Sequence, residues 1–134
     1  MRTLANDRRE QRPESSRSRP NRGPFVSEDE ALTQVVHRLA DELDPEAIWL
    51  FGSQAEGRNA PDSDFDLMVV TKIADGDVGF DYRAAYAPVQ GLGVGCDVVP
   101  VRADEFAEDI ADPTSFSFHV VKTGRKLYER RAPD

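Results

Sequence analysis

The sequence predicts an α/β domain in which helices flank a small mixed β-sheet. The first observation is a stretch at residues 28–43 in which apolar residues recur at a spacing of 3.6, which is typical of an amphipathic helix. The second is a set of three short apolar, β-branched segments at about 46–51, 65–71 and 96–101. Strands that are covered by helices have this composition. Helical and turn-forming segments separate the three strands, which is an α/β order.

Capping and turn residues set the limits of these elements. Ser27 and Glu30 form a capping box before the first helix, and Asp44-Pro45 stops it. A short helix is predicted to start at Ser53 and to end near Gly57. The remaining predictions are a loop at 72–79, a weak helix at 81–90, helices at 103–110 and 113–122, the second opened by Asp112-Pro113, and a short edge strand at 126–128.

The length of 134 residues indicates one domain, and the charge is unevenly distributed along it. In residues 1–24, seven arginines against three acidic residues give +4; the remaining ten basic and 22 acidic residues give −12. The first segment contains Arg, Ser and Pro with few apolar residues, so it cannot build a core. We therefore predict a disordered basic tail over 1–24 and a folded domain over 25–134.

Composition also limits the partners and the location of the chain. An acidic body binds nucleic acid poorly, so nucleic acid is not an expected partner except through the basic tail. No segment approaches the roughly 18–20 apolar residues that span a bilayer, and residues 1–24 lack the apolar core of a signal peptide. We expect a cytoplasmic protein without a membrane partner. Its single cysteine, Cys96, excludes an intrachain disulfide and is expected in the core.

The strongest chemical signal lies in residues 52–66, between the first two strands. Gly52-Ser53 follows the first strand directly. Glycine lets the backbone approach a phosphate closely, and a helix that starts at Ser53 aims its free N–H groups at the same point. These residues therefore predict an anion site.

Three aspartates are candidates for a metal site. Asp64 and Asp66 are two apart, so their side chains share one face of a strand. Asp97 lies in the third strand among apolar residues, where a charge is costly unless it is paired or metal-bound. If the third strand lies beside the second, Asp97 reaches the same pocket. Oxygen-only ligands favour Mg²⁺ or Mn²⁺ over Zn²⁺.

Gly52-Ser53, ten intervening residues and then Asp64-x-Asp66, with the later Asp97, resemble the signature of the DNA polymerase β-like nucleotidyltransferase superfamily. The short chain and its final segment, 123–129, are similar to the minimal nucleotidyltransferases of prokaryotes. The resemblance implies that Gly52 and Ser53 bind the triphosphate of ATP. It also implies that Asp64, Asp66 and Asp97 are the catalytic residues and hold two Mg²⁺ ions.

Two further residues complete the nucleotide-binding set that the resemblance implies. Ser63 precedes the first carboxylate and would orient it or cap the turn. Related sequences often carry a basic residue just before the second glycine, where this chain has Glu56, and Arg58 would take over that positive charge.

Many minimal nucleotidyltransferases are antitoxins encoded beside a small helical nuclease, the HEPN toxin, and those that are understood attach AMP to a tyrosine of the toxin. The resemblance therefore implies a protein adenylyltransferase with a HEPN-type partner. Two alternatives stay open at this point. One is an antitoxin that neutralises the toxin by binding alone, and the other is a small-molecule adenylyltransferase of the antibiotic-modifying kind.

Overall fold

The computed structural model of the protein describes residues 20–57, 64–72 and 81–131. The strands are β1 (Ala47–Phe51), β2 (Phe65–Thr71), β3 (Cys96–Arg102) and β4 (Arg125–Glu129). The helices are α1 (Glu28–Leu43), α2 (Gly52–Glu56), α3 (Tyr82–Tyr86), α4 (Ala103–Asp109) and α5 (Phe116–Thr123), with a 3₁₀ turn at Ala87–Val89 after α3.

The four strands form one mixed sheet in the order β3-β2-β1-β4. The pairs β1–β2 and β1–β4 are antiparallel, whereas β2 and β3 are parallel. Parallel neighbours need a long crossover connection, and here α3 lies in that connection. The predicted fold class, a small mixed sheet flanked by helices, is confirmed.

Helix α1 has the predicted limits. The Ser27 side chain caps its first turn by accepting a hydrogen bond from the Glu30 N–H at 3.1 Å. Asp44 adopts the left-handed conformation (φ 47°) immediately after Leu43 and ends the helix. The apolar positions face inward, and Ala31, Val35 and Leu39 are fully buried.

The sheet packs apolar side chains on both faces. Alternate residues of a strand point to opposite faces, so Ile48 and Leu50 join the cluster that includes the buried face of α1. Trp49 and Phe51 point the other way, toward Val120 of α5 and the helix α4. Both faces are therefore covered, as the near-continuous apolar sequence of β1 predicts.

The start of α5 differs from the predicted helix at 113–122. Asp112 does not cap it; its carboxylate instead accepts hydrogen bonds from the N–H and the hydroxyl of Thr114, at 2.9 and 2.7 Å. The cap is Ser115, whose Oγ accepts from the Phe118 N–H at 3.0 Å, so the helix starts at Phe116. Aspartate forms such local turns as readily as it caps helices. The prediction that Asp112 caps this helix is therefore wrong.

Smaller differences affect two other predicted helices. The weak helix at 81–90 divides after Tyr86 into the short helix α3 and the 3₁₀ turn, since Pro88 cannot donate to the α-helical hydrogen-bond pattern. Helix α2 begins at Gly52, one residue before the predicted start. Most of the predicted loop at 72–79 lies outside the described residues.

Residues 20–24, which the sequence analysis placed in the tail, are described. The side chain of Asn21 bonds with the backbone of Gly95, and Phe25 packs on the cluster of α1.

None of the helices within the described ranges is long and apolar enough to cross a membrane.

Candidate functional site

One row across the sheet brings together the end of β1 and two of the predicted site carboxylates. Phe51 of β1 pairs with Asp66 of β2, and Asp66 in turn pairs with Asp97 of β3. Neighbouring strands lie about 4.8 Å apart, so residues in one row are immediate neighbours. The prediction that β3 lies beside β2 is confirmed, and the parallel register places Asp66 and Asp97 directly next to each other.

The three side chains of this row point to the same face of the sheet. Asp66 is two residues from Met68 on β2, and Phe51 is two residues from Trp49 on β1, so each shares a face of the sheet with that neighbour. This is the face covered by α4 and α5. Asp66 is half-buried, whereas Asp97 is exposed. The row therefore has an apolar side at Phe51 and an acidic, solvent-accessible side at Asp97.

Gly52 brings the backbone of α2 against the carboxylate of Asp66. Its φ of +75° lies in the left-handed region, which strongly favours glycine. An ideal Cβ at Gly52 would lie 2.3 Å from the Asp66 Oδ2, far inside contact distance. The backbone conformation therefore favours glycine here, and any larger residue would also have to displace the Asp66 carboxylate.

The environment of Asp66 holds its pKa above the usual range of an aspartate. Burial is the largest cause, followed by the negative charges of Asp97 and Asp64 and a hydrogen bond with the Asp97 side chain. All of these contributions disfavour the ionised form. A cation placed between these carboxylates would relieve the repulsion.

Asp64 lies one residue before β2 and is exposed. Its Oδ1 sits over Gly95, only 2.2 Å from where a Cβ of that residue would be. Within residues 20–57, 64–72 and 81–131, no group of three His, Cys, Asp or Glu side chains is arranged to hold one metal ion. The structure thus brings Asp66 and Asp97 together and places Asp64 close enough for its charge to act on Asp66. The three carboxylates do not form a single three-ligand cluster in the described residues.

The donor chemistry fits a hard divalent cation. Carboxylate oxygens from adjacent strands suit Mg²⁺ or Mn²⁺, and burial, followed by the charges of Asp97 and Asp64, raises the pKa of Asp66 at this point. Residues Asp66 and Asp97 would be the primary ligands, and Asp64 would join them by rotating its exposed side chain away from Gly95.

Helix α2 (Gly52–Glu56) lies where the sequence predicts an anion-binding turn. Its N-cap is Phe51, which provides no side-chain cap hydrogen bond to the backbone N–H groups of the first turn. Ser53 is half-buried in that turn. Gly57, with φ +74°, ends the helix. The other two predicted nucleotide-binding residues, Arg58 and Ser63, lie outside the described residues.

Phe116, at the start of α5, is a neighbour of the site that the sequence analysis missed. Its ring lies edge-on to that of Phe51, with centroids 5.1 Å apart and planes at 87°. It remains 49% exposed. Because Phe51 precedes Gly52 directly, Phe116 forms an apolar wall on the β1 side of the row. Only the tertiary packing of α5 on β1 brings it there.

The acidic site also acts on Cys96, which faces the opposite side of β3 in the core, as predicted. Burial, and then the charges of Asp64 and Asp97, raise the pKa of its thiol to about 11.

We expect iodoacetamide to alkylate the native protein at pH 8 about 100-fold more slowly than the urea-unfolded chain, since each unit of pKa is a factor of ten in thiolate. Rates followed by mass spectrometry check this, and equal rates would contradict the buried position.

Comparisons with known proteins bear on the family and the fold. A family model described as polymerase beta, nucleotidyltransferase, matches residues 33–132. The fold is similar to the crystal structure of a proposed nucleotidyltransferase from Sulfolobus solfataricus, with a TM-score of 0.52 and 21% sequence identity over 74% of this chain and 78% of that one. No curated protein matches the sequence significantly. Since the family model covers most of the chain, including β1, the Gly52 turn and all three aspartates, the protein belongs to the polymerase β-type nucleotidyltransferase family.

Proposed function

We propose that the protein transfers AMP from ATP to a hydroxyl group of a partner protein, with the Gly52 turn and the row of Asp66 and Asp97 as its active site. The observation that carries this proposal is the contact of Gly52 with the Asp66 carboxylate, next to Asp97 in the sheet. A polyphosphate held by the turn at Gly52 would lie beside two carboxylates. Nucleotidyl transfer needs carboxylates at that place, to hold divalent cations next to the phosphates.

The residues of the site would act as follows. The first-turn N–H groups of α2 and the Ser53 hydroxyl bind the β- and γ-phosphates. The acceptor oxygen attacks the α-phosphorus, forming a new P–O bond while the bond to the bridging oxygen breaks and pyrophosphate leaves. Asp97, which is exposed beside Asp66, helps to remove the proton of the acceptor hydroxyl.

Asp66, Asp97 and Asp64 would hold two Mg²⁺ ions. When bound, such ions lower the pKa of an attacking hydroxyl and stabilise the negative charge that develops on the phosphate oxygens. The raised pKa of Asp66, caused first by burial and then by the charges of Asp97 and Asp64, supports this assignment, because ionisation there has a cost that a bound cation offsets.

The family resemblance supports the partner that we propose, a HEPN-type toxin whose tyrosine accepts AMP. Under this proposal the protein is an antitoxin. The exposure of Asp97 and Asp64 is consistent with a large acceptor, because a protein side chain must reach the row from solvent.

An antitoxin that acts by contact alone is a second candidate. Glu56, at the end of α2, places a negative charge where related sequences often carry a basic residue. In addition, Asp64 rests on Gly95 and the three carboxylates are not gathered around one point in the described structure. Both features would weaken triphosphate or metal binding.

Intact mass spectrometry of the co-purified partner, after incubation with ATP and Mg²⁺, tests the proposal. We expect mass increases in steps of one AMP with the wild type and none with the Asp64→Ala/Asp66→Ala double variant. Asp104→Asn, which removes a carboxylate on α4 that pairs with Arg102, is the matched control and should preserve the modification.

Other outcomes distinguish the alternatives. An unmodified partner that still forms a complex with both the wild type and the double variant would contradict the enzymatic proposal and favour binding alone. If no partner co-purifies, but small hydroxyl compounds are adenylylated, the acceptor is a small molecule.

A further inference from the structure

Asn21, in the segment before α1, forms hydrogen bonds that tie this segment to the rest of the domain. Its side-chain Nδ2 donates to the Gly95 carbonyl at 2.7 Å, and its Oδ1 accepts from the Gly95 N–H at 2.8 Å. Its own backbone N–H donates to the Glu28 carboxylate at 2.7 Å. One side chain therefore satisfies both backbone groups of a residue 74 positions away in the sequence.

Gly95 is the junction between two site carboxylates. It precedes Cys96 and Asp97 of β3, and its carbonyl also accepts from the Phe65 N–H at 3.0 Å, next to Asp64. The Asp64 carboxylate rests on its Cα, where a Cβ would be 2.2 Å from Oδ1. The position of Gly95 thus fixes how the start of β2, with Asp64, lies relative to the start of β3, with Asp97.

Close packing supports the same contact. An added Cβ at Gly23 would lie 2.8 Å from the Gly93 carbonyl oxygen, and one at Gly93 would lie 3.5 Å from the Pro24 ring. The backbone of Gly23 therefore lies against that of Gly93, and the Pro24 ring lies beside it. The hydrogen bonds of Asn21 with Gly95 therefore belong to a larger contact between residues 21–24 and 93–95.

We propose that Asn21 is a positioning residue for the acidic site, which holds the backbone of Gly95 so that the starts of β2 and β3 stay adjacent and Asp66 and Asp97 can share divalent cations. This inference rests on the proposed function. It adds that a residue of the segment 1–24, which was predicted as a disordered basic tail, controls metal affinity. Groups that orient metal ligands in this indirect way typically change affinity about 10- to 100-fold when they are removed.

The test is calorimetric titration of the full chain with Mn²⁺ alone, for the wild type, Asn21→Ala and Ser27→Ala. Ser27→Ala is the matched control, because it removes one hydrogen bond from the same region, the cap of α1, without touching Gly95. We expect Asn21→Ala to weaken Mn²⁺ binding about 10-fold and Ser27→Ala to leave it within about two-fold. Circular dichroism melting shows that each variant is folded at the temperature of the titration.

The outcomes separate this inference from the proposed function. If the wild type binds Mn²⁺ and Asn21→Ala binds it equally well, the positioning role is overturned while the proposed function stands. If both variants weaken binding alike, the effect is general destabilisation and the positioning role is again overturned. If the wild type binds no Mn²⁺, the metal-dependent function fails and the positioning role fails with it.

Discussion

Replacement of Asp66 by asparagine should make the metal-free protein more stable and abolish its activity. The pKa of Asp66 is raised in the folded state, so the folded protein disfavours its ionised form more than the unfolded chain does. At neutral pH the ionised carboxylate therefore destabilises the fold, and this cost disappears as the pH falls through the folded pKa. Asparagine has a similar shape without the charge, so we expect the melting temperature at pH 7 to rise by a few degrees.

The same substitution should reduce nucleotidyl transfer by about 1,000-fold, the scale on which loss of a principal electrostatic group in an active site is measured. Thermal melts with and without Mg²⁺ check the stability component. Mg²⁺ should stabilise the wild type and have no effect on Asp66→Asn. The gain in stability should shrink as the pH is lowered toward 4.

Asp104→Asn is the informative control for this experiment. Asp104 forms an ion pair with Arg102 at 2.7 Å, which is the largest reason why the pKa of its carboxyl is lowered. Its replacement should not stabilise the protein and should not reduce activity. A metal-free Asp66→Asn variant that is less stable than the wild type at pH 7 would contradict the charge repulsion that we describe.

Replacement of Gly52 by alanine should impair both stability and activity. The new methyl group would be forced into the left-handed region (φ +75°) and would meet the Asp66 Oδ2 at 2.3 Å. The strain of a non-glycine residue in that region costs about 1–3 kcal/mol, and the contact with Asp66 adds to it. Because relief of the contact must move either α2 or the carboxylate, we expect transfer activity to fall at least about 100-fold.

Gly57→Ala offers a closely matched control at the other end of the same helix. Gly57 has a φ of +74°, but an added Cβ there would have no atom within 4 Å. The two variants therefore share the conformational cost, and only Gly52→Ala adds the contact with Asp66. Urea denaturation and transfer rates, measured in parallel, should show a larger loss for Gly52→Ala in both. Equal losses for the two variants would show that the proximity of Gly52 to Asp66 has no consequence.

Local signals in the sequence were sufficient to predict the elements whose ends are set by neighbouring residues. The capping box at Ser27 and the stop at Asp44-Pro45 predict both ends of α1, because each signal satisfies or blocks backbone groups of that helix. The apolar runs predict β1, β2 and β3 within one residue at each end. The isolated charge of Asp97 in an apolar strand pointed to the site, but the reason differs from the predicted one: Asp97 is exposed, and its neighbour Asp66 is also acidic.

Contacts between distant residues could not be predicted in the same way. Asn21 lies in a segment rich in arginine, serine and proline, and nothing nearby in the sequence marks it as the partner of Gly95. Phe116 reaches Phe51 only because α5 packs on β1. The choice between Asp112 and Ser115 as the start of α5 also depended on which local turn the packed structure favoured.

The central claim, that the row of Asp66 and Asp97 beside Gly52 is a metal and nucleotide site, is tested most directly by nuclear magnetic resonance. Small amounts of Mn²⁺, added to ¹⁵N-labelled protein with a non-hydrolysable ATP analogue, broaden the signals of amides near the bound ion. We expect the signals of Gly52, Asp66 and Asp97 to disappear first. Those of Leu43 and Glu129 should be the last to broaden, because Leu43 precedes the start of β1 and Glu129 pairs with Ala47 there, at the end of the strand away from Gly52. Broadening that is centred elsewhere, or equal over the chain, would contradict the claim.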